Sequence, residues 1–227
     1  DIIHTDLSVS FDWEKQHLHG IAEITAKPYF RATNELILDA KGFDIHGVSM
    51  GEQKLDYTYE DDKLSIQLDR VYIRTESYTI SIDYTAKPNE LGAEGGAAIT
   101  DAKGLYFINP SGEEDKPQQI WTQGETESSS CWFPTIDKPN ERMTQNIAIT
   151  VQDKYTTLSN GLLVKSEQNT DGTRTDYWEQ SLDHAPYLAM MAVGDFSITT
   201  DKWRGIDIDY YLEEDFHKYA RRIFGRT

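Results

Sequence analysis

The chain has 227 residues, 38% of them hydrophobic, with 39 acidic side chains against 22 basic ones and a net charge of −17. That apolar share supports a packed core, in one large all-β domain or two small ones, and argues against disorder. The acidic excess argues against nucleic acid as a partner, disfavours anionic membrane surfaces and favours cationic ligands such as peptide amino groups.

A single cysteine, Cys131, excludes an intrachain disulfide and leaves the compartment open. No apolar run approaches the roughly 20 residues of a membrane-spanning helix. A start at Asp1 without Met is expected of a mature form or of a piece cut from a longer chain.

Period-two alternation dominates the order of elements. Leu7, Val9 and Phe11 alternate with Asp6, Ser8 and Ser10 and predict a half-buried strand. His17-Leu18-His19-Gly20 reads as a turn, Ile21–Ala26 as a second strand ending near Pro28. Leu36-Ile37-Leu38, within Glu35–Ala40, reads as a short strand buried on both faces. Val48–Gln53 and Leu55–Tyr59 predict a hairpin. Strands follow around Leu64, Ile66 and Leu68, and around Tyr78, Ile80, Ile82 and Tyr84. Lys87–Gly104, with Gly92, Gly95 and Gly96, reads as a mobile loop. Leu105–Ile108 predicts a short strand leading to Trp121. Beyond Pro139, alternation resumes at Ile147, Ile149 and Val151. Asn160-Gly161, between Tyr155–Ser159 and Leu162–Lys165, is a strong hairpin signal. Asp171-Gly172 marks a turn before Thr173–Gln180. Leu188–Val193 reads as a central strand closed by Gly194, and Ile206, Ile208 and Tyr210 as the last strand.

The end changes period. Phe216, Tyr219, Ala220 and Ile223 form one helical stripe, with acids in the first turn, Arg221 and Arg222 in the last, and Gly225 as a cap. A helix with an apolar stripe so close to Thr227 is expected to be the start of a further segment or to pack back on the sheet. Fluctuation is expected to concentrate in Gly92–Gly104 and Glu213–Thr227.

Few constellations carry chemistry. The histidines are His4, His17, His19, His46, His184 and His217; none stands in H-E-x-x-H, and no cysteine pair exists, so no zinc site is written in this chain. His17 and His19 fit a loose two-ligand site or, better, a solvated turn. Ser128-Ser129-Ser130 has no histidine at a diagnostic spacing. Cys131 has no basic neighbour in sequence and reads as a small core residue. There is no glycine-rich phosphate loop.

That leaves Trp121–Pro139, WTQGETESSSCWFPTIDKP, where polar groups, aromatics and prolines crowd without strand or helix period. Gln123 and Glu125 flank Gly124, and in an extended backbone their side chains share one side. Gly124 admits another backbone at close range. An amide and a carboxylate projecting from a clamped loop suit capture of a cationic amine. A surface loop pinned by Trp132, Phe133 and Pro134, with an incidental Glu125, fits the same residues.

Trp121-Thr122-Gln123-Gly124-Glu125, followed by Phe133-Pro134-Thr135-Ile136-Asp137-Lys138-Pro139, resembles the signature of the amino-terminal domain in the aminopeptidase N family of zinc metallopeptidases. The resemblance continues through Thr157–Asn160, Tyr187–Phe196 and Ile223-Phe224-Gly225. Ser129 and Ser130 replace a common Ala-Arg pair, and Lys138 stands where an acid is frequent. The resemblance implies an all-β fold, a large twisted, saddle-like β-sandwich over residues 1–211, with a short C-terminal linker helix over 212–227 leading into a thermolysin-like catalytic domain. It implies that Gln123 and Glu125 bind the free N-terminus of a peptide substrate. Catalytic residues, metal ligands and the zinc cofactor would lie in that next domain, the chain's expected partner, and this piece alone would be inactive. The rival expectation is a stand-alone β-sandwich binding module, for carbohydrate among other ligands, with some of its aromatics as stacking platforms.

Overall fold

The computed structural model describes residues 1–92 and 102–225, and their architecture is the expected all-β sandwich with one short C-terminal helix. Among the described residues seventeen strands appear in chain order. The broad layer contains β1 (Ile2–Asp12), β2 (His17–Ala26), β4 (Phe43–Met50), β5 (Gln53–Lys54), β8 (Tyr78–Ala86), β11 (Met143–Gln152), β13 (Leu162–Gln168) and β14 (Thr173–His184), ordered β13-β14-β11-β1-β2-β8-β4-β5. Three smaller sheets accompany it. One is β3 (Thr33–Asp39), β7 (Lys63–Tyr72) and β6 (Tyr57–Glu60), ordered β3-β7-β6. Another is β12-β15-β10-β9, made of β9 (Leu105–Ile108), β10 (Gln119–Thr122), β12 (Thr156–Ser159) and β15 (Met191–Gly194). The third is the hairpin of β16 (Phe196–Trp203) and β17 (Ile206–Glu213).

Alternation explains the layering. Leu7, Val9, Ile80, Ile82, Tyr84, Ile147 and Ile149 point inward and join Leu36, Leu38, Leu64, Ile66, Ile120, Met191 and Val193 in one core cluster. β1 pairs antiparallel with β2 but parallel with β11, so the middle of the broad sheet joins segments about 140 residues apart.

Several local readings change. His17–Gly20 is the start of β2, and residues 13–16 form the turn. Gly20 misled because its freedom is used for clearance: a Cβ there would lie 2.4 Å from Tyr84 Cζ. Ile37 is 49% exposed, because the outer face of β3 carries no further layer. The hairpin after Val48 closes at Met50 and Gln53, but β6 crosses to the other sheet and pairs with β7. Asn160-Gly161 does turn, with Gly161 at φ +82, yet the flanking strands part: β12 pairs with β15, and β13 with β14. Only Met191–Gly194 of the Leu188 run is a strand, and it is central to its sheet as expected. β10 and β16 have no counterpart in the sequence reading. The loop read over 87–104 falls largely on residues 93–101, outside the described ones; its start, Pro88–Glu90, is a 3-10 turn.

The C-terminal helix is shorter than its pattern. Glu214–Tyr219 is 3-10, and α1 spans only Ala220–Phe224. Of the stripe, Ala220 is buried at 1% exposure, while Phe216, Tyr219 and Ile223 face solvent.

Candidate functional site

Gln123 follows the end of β10, and its N–H donates to the Gly104 carbonyl at 2.9 Å. Gly124 is closed in from one side: a Cβ there would lie 2.4 Å from the Tyr187 carbonyl oxygen and 2.6 Å from Ser129 Oγ. The close approach read from the sequence is therefore made by this chain's own backbone. Glu125 opens a turn closed by Ser128 N–H donating to the Gly124 carbonyl at 2.9 Å. Its peptide bond to Thr126 is cis. Extended geometry ends at Gly124, so the two side chains stand on one loop, Gln123 half-buried at the strand exit and Glu125 exposed at the turn. Neither side chain has a hydrogen-bond or ion-pair partner among the described residues.

The underside of this turn is heavily fixed. A 3-10 turn, Ser129–Cys131, delivers Trp132 and Phe133 into the core, both fully buried, with ring centroids 4.5 Å apart. Tyr84 Oη donates to the Trp132 carbonyl at 3.0 Å, and burial pushes this phenol far above its usual range. Ser129 Oγ donates to the Pro186 carbonyl at 2.7 Å. Thr135 bridges Asp39 on β3 through both backbone hydrogen bonds, at 2.7 and 3.1 Å. Lys41 adds two more ties: its N–H reaches the Ser130 carbonyl at 2.7 Å, and its Nζ the Glu127 carbonyl at 2.6 Å. Asp137 Oδ2 accepts the Ser130 N–H at 2.9 Å and the Ser130 hydroxyl at 2.8 Å. Burial pushes the Asp137 carboxyl upward, against those two hydrogen bonds.

The structure places the expected Gln123 and Glu125 on one loop, and ties that loop to Asp39, Lys41 and Tyr84, whose link to the turn has no local signature in the sequence. Cys131 is the small buried residue expected, its thiol pushed up to about 12 by burial. His17 pairs with Glu90 at 3.1 Å, and His19 meets Thr85 Oγ1 at 3.0 Å. Among the described residues no group of three or more His, Cys, Asp or Glu is placed to hold a metal ion. No described helix is long and apolar enough to cross a membrane.

Known proteins resemble the chain in sequence and fold. Leucine aminopeptidase 2 of Vanderwaltozyma polyspora is 23% identical, over 97% of this chain and 34% of its own length. Transcription initiation factor TFIID subunit 2 of Danio rerio is 24% identical, over 85% of this chain and 19% of its own. A mutant M1 zinc metallopeptidase of Deinococcus radiodurans, solved bound to a Tyr-Ser-Ala substrate, superposes with a TM-score of 0.76 at 18% identity, covering 93% of this chain and 46% of that one. That likeness shows the fold. The chain spans about a third of the length of the aminopeptidase it matches. The model of the peptidase M1 N-terminal domain matches residues 2–188, and the chain belongs to that family.

Proposed function

We propose that this chain is the amino-terminal domain of a zinc metallo-aminopeptidase, and that Gln123 and Glu125 hold the free α-amine of its peptide substrate. One observation carries the reading: an exposed, unpartnered carboxylate on a turn whose underside is tied to β3, β8 and the core. A peptide α-amine has a pKa of about 7.7–8.0 and is mostly cationic at neutral pH. Glu125 supplies the opposite charge, and Gln123 a neutral hydrogen bond beside it.

Residues 1–211 are the sandwich, and 212–227 begin the connection to a thermolysin-like domain. β17 runs two residues past that boundary. The exposed stripe of Phe216, Tyr219 and Ile223 is the surface such a domain would cover. Zinc in that domain would supply the activation of water. This chain's part is to set the distance from the amine, so that only the first peptide bond reaches that water; alone it carries no hydrolytic centre.

The test is Glu125→Ala in the full-length protein. Truncating one partner of a desolvated charge pair costs about 2–5 kcal/mol, or roughly 30- to several-thousand-fold in kcat/KM. Gln123→Ala costs less, about 0.5–1.5 kcal/mol. Zinc content is unchanged in both, and N-acetylated substrates erase most of the difference from wild type. Near-normal kcat/KM of folded, zinc-loaded Glu125→Ala on free-amine peptides overturns the reading.

A second reading is supported by the likeness to a transcription initiation factor subunit: a sandwich used as a binding module. The residues encoded after Thr227 separate the two. An H-E-x-x-H with a downstream glutamate supports the peptidase, and its absence the module.

A further inference from the structure

The end of the sandwich at the β2–β3 loop has an unusual surface for so acidic a chain. Phe30 is 83% and Tyr29 59% exposed, their rings in edge contact at 4.3 Å. Pairing of Thr33 with Tyr72 brings this β2–β3 loop beside the end of β7, where Val71 and Ile73 also face solvent. Arginines rim these four side chains. Arg70 lies over the Tyr72 ring and pairs with Glu76 at 2.9 Å. Arg31 and Arg74 are exposed and have no ion-pair partner among the described residues.

Three acids at this end are engaged within the chain. Glu76 also accepts the Ile73 N–H at 3.0 Å, Asp69 accepts the Tyr72 hydroxyl at 2.9 Å, and Asp1 pairs with Lys27 at 3.4 Å. Glu35 on β3 is exposed without an ion-pair partner among the described residues, so the side chains left for an external partner are two aromatics, two aliphatics and two guanidinium groups against one carboxylate.

We infer that this tip docks on an anionic lipid surface, with Tyr29 and Phe30 entering the interface and Arg31 and Arg74 on lipid phosphates. Amphipathic rings favour the headgroup level, and guanidinium matches phosphate geometry. Phe30 projects almost wholly exposed, and a protruding apolar point suits a deformable layer better than the shaped pocket a rigid protein partner must supply. The net charge of −17 opposes approach only weakly, because at physiological salt charges are screened beyond about 8 Å. Orientation is consistent. On β3, Thr33 lies at the tip and Asp39 at the Thr135 bridge; on β8, Tyr78 lies towards the tip and Tyr84 under Trp132. Six strand residues span about 20 Å, so a docked molecule keeps the Glu125 turn clear of the lipid. The inference does not depend on the peptidase reading.

The test is co-sedimentation of the full-length protein with large vesicles of phosphatidylcholine alone or of a 3:1 mixture with phosphatidylserine. Wild type is expected to prefer the anionic vesicles by at least about tenfold at physiological salt, each free arginine contributing roughly fivefold, and to lose that preference at about 1 M salt, where screening shortens to about 3 Å. Tyr29→Ser with Phe30→Ser lowers partitioning about ten- to a hundredfold. Arg31→Gln with Arg74→Gln abolishes the anionic preference and leaves neutral-vesicle binding alone. Unchanged thermal midpoints keep the comparison interpretable, since all four side chains are exposed. The inference is overturned if wild type sediments with neither vesicle, if the variants bind as wild type does, or if the tip binds a polyglutamate peptide and no lipid.

Discussion

Asp137, beneath the Glu125 turn, and Asp176, on β14, are almost equally buried, at 2% and 3% exposure, yet their carboxyls shift in opposite directions. Burial opposes ionisation at both. At Asp137 burial prevails: Oδ2 takes both Ser130 donors, Oδ1 has no partner, and Lys41, whose charge favours ionisation, donates instead to the Glu127 carbonyl. At Asp176 hydrogen bonds prevail. Arg174 donates to both oxygens at 2.8 and 2.9 Å, Ser166 to Oδ1 at 2.5 Å and Thr157 to Oδ2 at 2.7 Å, and together they hold the carboxyl below its usual range. Desolvation alone therefore does not set the charge of a buried acid; its company does. The fully partnered carboxylate joins sheets, since Thr157 lies on β12 and Ser166 on β13. The half-partnered one lies under the loop where we place substrate.

Breaking the stronger joint has the largest expected effect. Asp176→Asn turns one acceptor into a donor facing Arg174 and Thr157, and should cost about 3 kcal/mol, read as a fall in urea midpoint at neutral pH. Gly124→Ala comes next. Its Cβ meets the Tyr187 backbone, and overpacking of this kind costs roughly 1–3 kcal/mol; because the turn must shift, kcat/KM of the parent should fall with it. Asp137→Asn should lie within about 1 kcal/mol of wild type at neutral pH. The amide keeps an acceptor for Ser130 and removes a charge that burial disfavours.

Acidification sharpens the contrast. The Asp176 contribution is present above the unfolded carboxylate pKa, about 3.9, and is lost as pH falls through its lower folded value. Asp137 has the opposite sign. Its folded pKa is raised, so its penalty is absent below the unfolded value and grows as pH rises through the folded one. The deficit of Asp176→Asn should therefore shrink between pH 7 and 3, and that of Asp137→Asn should grow. Parallel slopes of urea midpoint against pH for the two variants would refute the comparison.

Much of the fold was legible because each strand carries its own alternation. Tyr78–Tyr84 needs no distant information to read as extended, since one face is apolar, and Leu105–Ile108 reads as a strand because it is short and apolar throughout. Gln123 and Glu125 stood out for a different reason: polar residues packed among Gly, Trp and Pro without a period mark an irregular loop, and only the family resemblance attached a role to it. Turn chemistry was legible at Asn160-Gly161, though its consequence was not. A positive φ bends the chain, but whether the two arms pair depends on which layer buries each.

What the sequence determined by itself is local: extended runs, an apolar helical stripe near the C-terminus, and an amide and a carboxylate two residues apart. What only the tertiary structure decided is which distant pieces meet. Asp39 and Lys41 hold a turn about 90 residues further along the chain, Arg174 sets the charge of a carboxylate bonded from two other strands, and Phe30 and Arg74 share one tip because Thr33 pairs with Tyr72. The physical reason is that side-chain alternation is a property of each strand alone. Strand pairing and the burial of charge are settled by the whole core at once, where a carboxylate or an arginine takes its state from neighbours that sequence distance does not reveal.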